Sequence, residues 1–374
     1  MKITTLGLKI AFTGLQKQYD QIRSEVLNAT DRVLRSGQLM SGNQTAEFES
    51  WLCRRNSTKH AVTCHSGAHA LEIIAEYYRQ QCNTDTNPCV LMPTMTFAAT
   101  ANAFMRAGWD IHFIDTDAYG CVDPRLIPDS VEYKAVVIIG LYGASVKKYR
   151  EHRHYQHWLL NSTYIIEDGA QHWLADNCLR IGDATAVSFD PMKNLGNYGN
   201  GGAVLTDNRD LAEFARAWTS HGKPGNHYVG SNSRMSEIDC ATLLIKTQYI
   251  DKWQERRQQI ASYWRDCFKD STIRCLIDNS NEHGHAYHKF VIDVNNRKRV
   301  KKSLDIRGIE TKIHYEQPLH EIGVFKQWAG PDWFNNASSL ARRVLSLPMY
   351  PELTDLQVEY IKDQVLDCVE EEHN

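Results

Sequence analysis

The chain has 374 residues, a formal net charge of −3, 42% hydrophobic and 23% charged side chains. That balance suits one large domain with a smaller one attached, and it gives no global pull toward nucleic acid or an anionic membrane. Ten scattered cysteines with no Cys-x-x-Cys pair argue for reduced thiols and against a zinc site, and no apolar run reaches membrane-spanning length.

Met1 to Gly7 lacks a signal-peptide core, so a cytoplasmic protein is expected. The single basic cluster, Arg297-Lys298-Arg299 with Lys301-Lys302, reads as a solvated helix start rather than a nucleic-acid patch, which needs a broader basic face.

Taken in order, helical spacing runs from about Gln16 to Leu34 (Tyr19, Ile22, Val26, Ala29, Val33) and stops at Ser36-Gly37. A helix carrying Phe48 and Trp51 follows. His60 to Cys64 is strand-like and leads into Ser66-Gly67-Ala68 and an amphipathic helix (Leu71, Ile74, Ala75, Tyr78). Strand, Ser-Gly, then helix start is an anion site, because the free N–H groups and the helix dipole face a phosphate, with Ser66 also serving as N-cap.

Further apolar strands are expected at Pro88–Met92, Ile111–Asp115, Ala135–Ile139, Ile165–Glu167, Thr185–Phe189 and Ala203–Thr206. Seven such runs, mostly separated by helix-length periods, indicate a doubly wound α/β sheet with chemistry at its carboxyl edge. The last two are joined by a loop rather than a helix, so one strand should be antiparallel.

That loop, Ser188-Phe189-Asp190-Pro191-Met192-Lys193-Asn194-Leu195-Gly196-Asn197-Tyr198-Gly199-Asn200-Gly201-Gly202, combines a strand-end hydroxyl, a stiffening proline, one lysine and several glycines. A lysine shielded from water there has a lowered pKa and an amine free to form a Schiff base. Upstream, Tyr164-Ile165-Ile166-Glu167-Asp168-Gly169-Ala170-Gln171 places a carboxylate at a strand end, where it suits a protonated pyridine nitrogen.

Beyond the loop, a long helical period runs from about Ser236 to Phe268. The domain boundary is read in its middle, as 1–250 and 251–374. The remainder is α+β, with a strand at Tyr287–Ile292 and a helix at Arg299–Arg307.

With these segments in register, the chain resembles the DegT/DnrJ/StrS sugar aminotransferases, fold-type I enzymes that use pyridoxal phosphate. The lysine phrase from Ser188 to Gly202 is very close to that family's motif. Ser66-Gly67-Ala68 matches "SGT-x-AL", with Ala68 in place of the threonine. Pro93 to Thr100 matches "P-x-x-TF-x-AT", Gly230 to Met235 matches "G-x-N-x-RM", and His314 to His320 is similar to "hY-x-x-PLH".

The resemblance implies a seven-stranded, mostly parallel sheet domain and a smaller α+β domain. It implies that Lys193 carries the cofactor and moves the proton, and that Asp168 holds the ring nitrogen. Gln171 would lie beside the ring hydroxyl and Phe97 on the ring face. Ser66, Gly67, Ala68 and Ser188 would hold the phosphate. Asn232 would reach a partner's phosphate in a homodimer. Arg234, His314 and Tyr315 would contact substrate.

The implied reaction is ping-pong transamination from glutamate or glutamine to a keto-sugar, carried on a nucleotide. The Lys-Asn-Leu-Gly form of the loop points to C3 of the sugar, with C4 as the alternative. Lys193 itself argues against the related branch that has histidine there and removes a hydroxyl.

Three departures stand out. Ala68 removes a hydroxyl ligand. Gly140 stands where the family often has histidine. His172 and Trp173 replace small residues and are able to reshape the pocket floor. A catalytically silent binding or regulatory subunit is the rival reading, disfavoured by intact Asp168, Gln171, Phe97 and Lys193. A nicotinamide enzyme is rejected, since its glycine fingerprint opens a helix after the first strand of a βαβ unit.

Overall fold

The computed structural model describes residues 9–82, 86–127, 132–152, 156, 163–277, 284–330 and 334–370. The opening stretch read for its lack of a leader core, Met1 to Gly7, lies outside them. Seven strands form one sheet: β1 (His60–Cys64), β2 (Cys89–Pro93), β3 (Asp110–Ile114), β4 (Ala135–Ile138), β5 (Tyr164–Asp168), β6 (Ala184–Ser188) and β7 (Gly202–Thr206). Their order is β1-β7-β6-β5-β4-β2-β3. Strands β2 to β6 pair in parallel, and β7 runs antiparallel to both β1 and β6.

Every residue of β4, β6 and β7 is buried, which is why these strands read as continuous apolar runs rather than alternating ones. Helices cover both faces. The helix Gly67–Gln81 packs Ile73, Ile74 and Tyr78 into one core, while Phe48, Phe189 and Leu205 share the other.

The antiparallel register sets Gly202 opposite both Cys64 and Ser188. The carboxyl ends of β1 and β6 therefore meet at one point. A methyl on Gly202 would lie 2.3 Å from the Ser66 carbonyl carbon, and one on Gly67 would lie 2.6 Å from Ser188 Cβ. Only hydrogen fits at either position.

A second sheet, of order β10-β9-β8, is formed by β8 (Arg274–Cys275), β9 (Phe290–Asp293) and β10 (Val344–Leu347). It has its own core around Trp264, Phe290 and Leu345, all 0% exposed. Cutting a ring of that size back to alanine costs about 3–5 kcal/mol.

Two expectations shift. The period from Ser236 to Phe268 is two helices, Glu237–Thr247 and Ile250–Phe268. Ser236 caps the first through a reciprocal box with Asp239. The chain breaks where the Gln248 and Tyr249 amides turn back to the carbonyls of Ile245 and Lys246, and the Tyr249 hydroxyl is held by Glu25 at 2.7 Å.

The strand expected from Tyr287 begins only at Phe290. Before it, the Ala286 amide donates to the Gly143 carbonyl (2.7 Å) and the Lys289 amide to that of Tyr142 (3.0 Å). These bonds tie residues 286–289 to the turn after β4, and so bring His288 and Lys289 to the edge of the large sheet.

The basic cluster forms the first turns of the helix Arg297–Ile306, capped by Asn296. All ten cysteines are free thiols. No described helix is long and apolar enough to cross a membrane.

Candidate active site

At the carboxyl edge of β1, β5 and β6, where such sheets present their chemistry, lies a cavity of about 360 Å³. Lys193 and Asp168 both line it. Asp168 ends β5, 6% exposed, and its two oxygens are already engaged: Oδ2 accepts from Thr100 Oγ1 at 2.6 Å, and Oδ1 accepts from the Ala170 amide at 3.2 Å. Neither donor carries a charge, and the carboxyl group lines the cavity.

The lysine loop is pinned at several places. The Lys193 amide donates to the Asp190 carbonyl (2.8 Å), and Asn194 Nδ2 reaches the Ala286 carbonyl (2.7 Å). Asn197 Nδ2 reaches Asp239 Oδ1 (2.7 Å), and Lys246 Nζ donates to the Gly196 carbonyl (2.6 Å). The Lys246 ammonium also sits 3.7 Å over the Tyr198 ring. A loop held this way presents Lys193 from a fixed base. Burial lowers the pKa of Lys193, and the opposing charges of Asp168 and Asp190 restore only part of the loss. The lowered value favours the neutral, nucleophilic amine.

Ser66, Gly67 and Ala68 line one end of the cavity beside Ser188. Ser66 Oγ caps the helix by accepting from the His69 amide at 3.2 Å. The amides of Gly67 and Ala68 are first-turn donors with no carbonyl earlier in their own helix, and the dipole there favours an anion. Ala68 has no side-chain donor to add, as expected.

Gln171 and Tyr315 meet directly, with Nε2 donating to the tyrosine hydroxyl at 3.1 Å. Gln171 Oε1 accepts from the Tyr142 amide at 2.8 Å. Burial, with Asp168 next in size, raises the Tyr315 pKa, so the phenol stays protonated. His314 Nδ1 bonds Ser346 Oγ at 2.8 Å, and its pKa is pushed down to about 3 by burial and then by Lys289, Lys312 and Lys193. It is therefore a neutral imidazole. Phe97 is 59% exposed and lies 6.0 Å from the Tyr315 ring, over the cavity mouth.

Asn232 and Arg234 are not in this group. Asn232 is exposed and bridges Ser220 through its backbone, while Arg234 Nη1 contacts Ser41 Oγ at 3.4 Å in a separate surface pocket shared with Thr45 and Lys223.

His172 and Trp173 do not form the pocket floor either. Trp173 turns into the core against Phe189 and Trp51. His172, 1% exposed, accepts from the Gly140 amide at 3.0 Å and faces Glu167 Oε2 at 3.2 Å. A methyl on Gly140 would fall 2.6 Å from His172 Cβ. The two departures are thus one packing arrangement.

Sequence reasoning gave no role to Thr100, Tyr142 or Lys289. Thr100 was in plain sight at the end of the Pro93–Thr100 segment. Lys289 had a weaker signal, a charge inside an apolar strand pattern.

A flat pyridine carrying a phosphate suits this lining: N–H donors and Ser188, a carboxyl group, and an amine of lowered pKa share one cavity. The fit identifies pyridoxal phosphate as the group the cavity suits.

The DegT/DnrJ/EryC1/StrS aminotransferase family matches residues 20–366. The chain is 30% identical over 377 residues to the dTDP-3-amino-3,4,6-trideoxy-alpha-D-glucose transaminase of Streptomyces venezuelae, covering 97% of each. It is 29% identical to a pleiotropic regulatory protein of Geobacillus stearothermophilus, over 96% of this chain and 98% of that one. The crystal structure of DesV from S. venezuelae superposes with a TM-score of 0.89 at 28% identity, covering 97% of this chain and 99% of that one.

Proposed function

The chain belongs to the DegT/DnrJ/EryC1/StrS aminotransferase family, and on that premise we propose that it moves an amino group from glutamate or glutamine to C3 of a nucleotide-linked keto-sugar in amino-sugar biosynthesis. It is a pyridoxal-phosphate-dependent sugar aminotransferase. The observation that carries the aminotransferase reading is the cavity that Lys193 and Asp168 share with the Ser66–Ala68 turn.

When bound, the cofactor supplies an electron sink for the carbon that loses its proton. The chain's own residues do the rest. Lys193, with its lowered pKa, carries the cofactor and then takes and returns the proton at the reacting carbon. Asp168 keeps the ring nitrogen protonated. Gly67 and Ala68 amides with Ser66 and Ser188 hold the phosphate. Gln171 sits at the ring hydroxyl, and Phe97 covers the ring face and excludes water. His314 and Tyr315 contact the sugar.

The choice of C3 is supported by the 3-amino-sugar transaminase among the relatives and by the Lys193-Asn194-Leu195-Gly196 loop. A homodimer is part of the reading. Arg234, in its own pocket, and the exposed Asn232 lie outside the lining of this chain's own cavity, as residues serving a partner's site would. The same reading takes 1–250 and 251–374 as the two domains and the cytoplasm as the setting. The test is turnover of matched 3-keto and 4-keto nucleotide sugars with glutamate. Turnover of the 4-keto series alone would sink the C3 assignment.

A further inference from the structure

Two buried lysines flank the Lys193 loop, and they are solved differently. Lys246, 0% exposed, spends its ammonium on the Gly196 carbonyl and the face of Tyr198. Lys289, 8% exposed, has no such outlet. Among the described residues no carboxylate pairs with its ammonium within 4.0 Å, and it lies 5.1 Å from the centroid of the Phe12 ring. It lines the Lys193 cavity, and also the adjoining cleft between Pro191-Met192 and Tyr350.

The cations around it outweigh the carboxylates. Lys312 lies 5.2 Å over the same Phe12 ring. Arg257 is buried and gives its guanidinium to the carbonyls of Tyr287 and Met349. Of the carboxylates nearby, Asp190 offsets this only in part, Glu310 lies 3.9 Å from Lys312 and accepts from the Phe12 amide, and Glu352 accepts from Gln18. Burial, then the charges of Lys193, Arg257 and Lys312, push Lys289 down to about 7. A buried amine with no paired carboxylate is costly to charge, and such perturbed groups concentrate at functional sites. An anion entering the cavity beside Lys289 would favour its charged form.

We propose that Lys289 is the receptor for a carboxylate of the substrate, at the cavity wall beside Lys193. This rests on the aminotransferase reading and deepens it. The carboxylate comes either from the amino donor, a dicarboxylate, or from an acceptor sugar of the uronic acid class. Lysine suits the task as a compact point charge that approaches either oxygen.

The test uses cofactor-loaded wild type, Lys289→Met, Lys289→Gln and Lys289→Arg, with binding read by calorimetry. Glutarate, which has both carboxylates but no amine, probes the donor side of the pyridoxal phosphate form. Glucuronate and glucose linked to UDP or dTDP probe the acceptor side of the pyridoxamine phosphate form. The neutral variants should weaken at least one carboxylate probe about tenfold or more, while Lys289→Arg stays close to wild type. Loss of glutarate assigns the donor, and loss of glucuronate with glucose unmoved assigns the acceptor.

Either neutral variant suffices, and removing an unpaired buried charge should not lower its melting temperature. If a neutral variant binds every carboxylate probe within twofold of wild type, or wild type binds none, the proposal is overturned. Amination of the wild-type cofactor by glutamate is scored separately, so failure of the subsite and failure of the aminotransferase reading are told apart.

Discussion

Thr100 donates its hydroxyl to Asp168 Oδ2 across 2.6 Å, and Thr96 supports Thr100 in turn at 3.3 Å. Both threonines are buried. The helix Ala98–Arg106 thus aims the carboxylate that ends β5, and Thr100 acts through Asp168 as a positioning residue.

Thr100→Val keeps the shape and removes the donor. A hydrogen bond to a charged group contributes about 1.5–3 kcal/mol, so kcat/KM should fall roughly tenfold to a hundredfold. Thr100→Ser should recover most of it. Equal kinetics for Val and wild type would remove Thr100 from the account.

Lys193 should capture free pyridoxal phosphate with a pH profile whose inflection lies below the 10.5 of an ordinary lysine, because burial lowers its pKa. Stopped-flow absorbance of the cofactor-free protein between about pH 6 and about pH 11.5 reads this directly. An inflection at or above the ordinary value contradicts a shielded amine.

Gly67→Ala places a methyl 2.6 Å from Ser188 Cβ. The turn must move away from β6, and overpacking of this kind costs about 1–3 kcal/mol. Weaker cofactor retention should accompany the lower melting temperature, since the same turn presents the phosphate donors. A stable protein with undiminished cofactor affinity would show that the turn is not the cradle.

Glu167 supplies a pH dependence. Burial pushes its carboxyl up, but His172 and the amides of Gly182 and Ile181 outweigh this and hold it below the usual carboxylate value. With the folded value below the unfolded one, the unfolded chain binds the extra proton. The stabilisation is therefore present above about pH 4.5 and is lost as pH falls through the range below it. His172→Leu removes the ring donor, so acid unfolding followed by circular dichroism should begin at higher pH. An unchanged acid limb would deny His172 that role.

Much of this was legible in the sequence because it depends on local rules. The seven strands announce themselves as buried apolar runs, and their ends carry Asp168, Ser188 and the Ser66–Ala68 turn at the same sheet edge. Lys193 stands out because nothing else in its glycine-rich loop is basic.

What stayed hidden is set by tertiary contacts. Gly140 and His172 are 32 positions apart, yet one fills the space the other leaves. The turn at Gly140–Gly143 captures residues 286–289, so a strand expected from Tyr287 starts at Phe290 and Lys289 turns to the cavity. At the break at Gln248–Tyr249, Tyr249 bonds Glu25, 224 positions away. No periodicity reports such pairings.

The most direct measurement is the visible absorption spectrum of the purified protein with pyridoxal phosphate, before and after glutamate, beside Lys193→Ala. The account predicts a cofactor band in the wild type that bleaches when glutamate is added, and no normal band in the variant. Absence of any band in the wild type with cofactor in excess, or a variant indistinguishable from it, would contradict the assignment of Lys193 and with it the aminotransferase chemistry built on that residue.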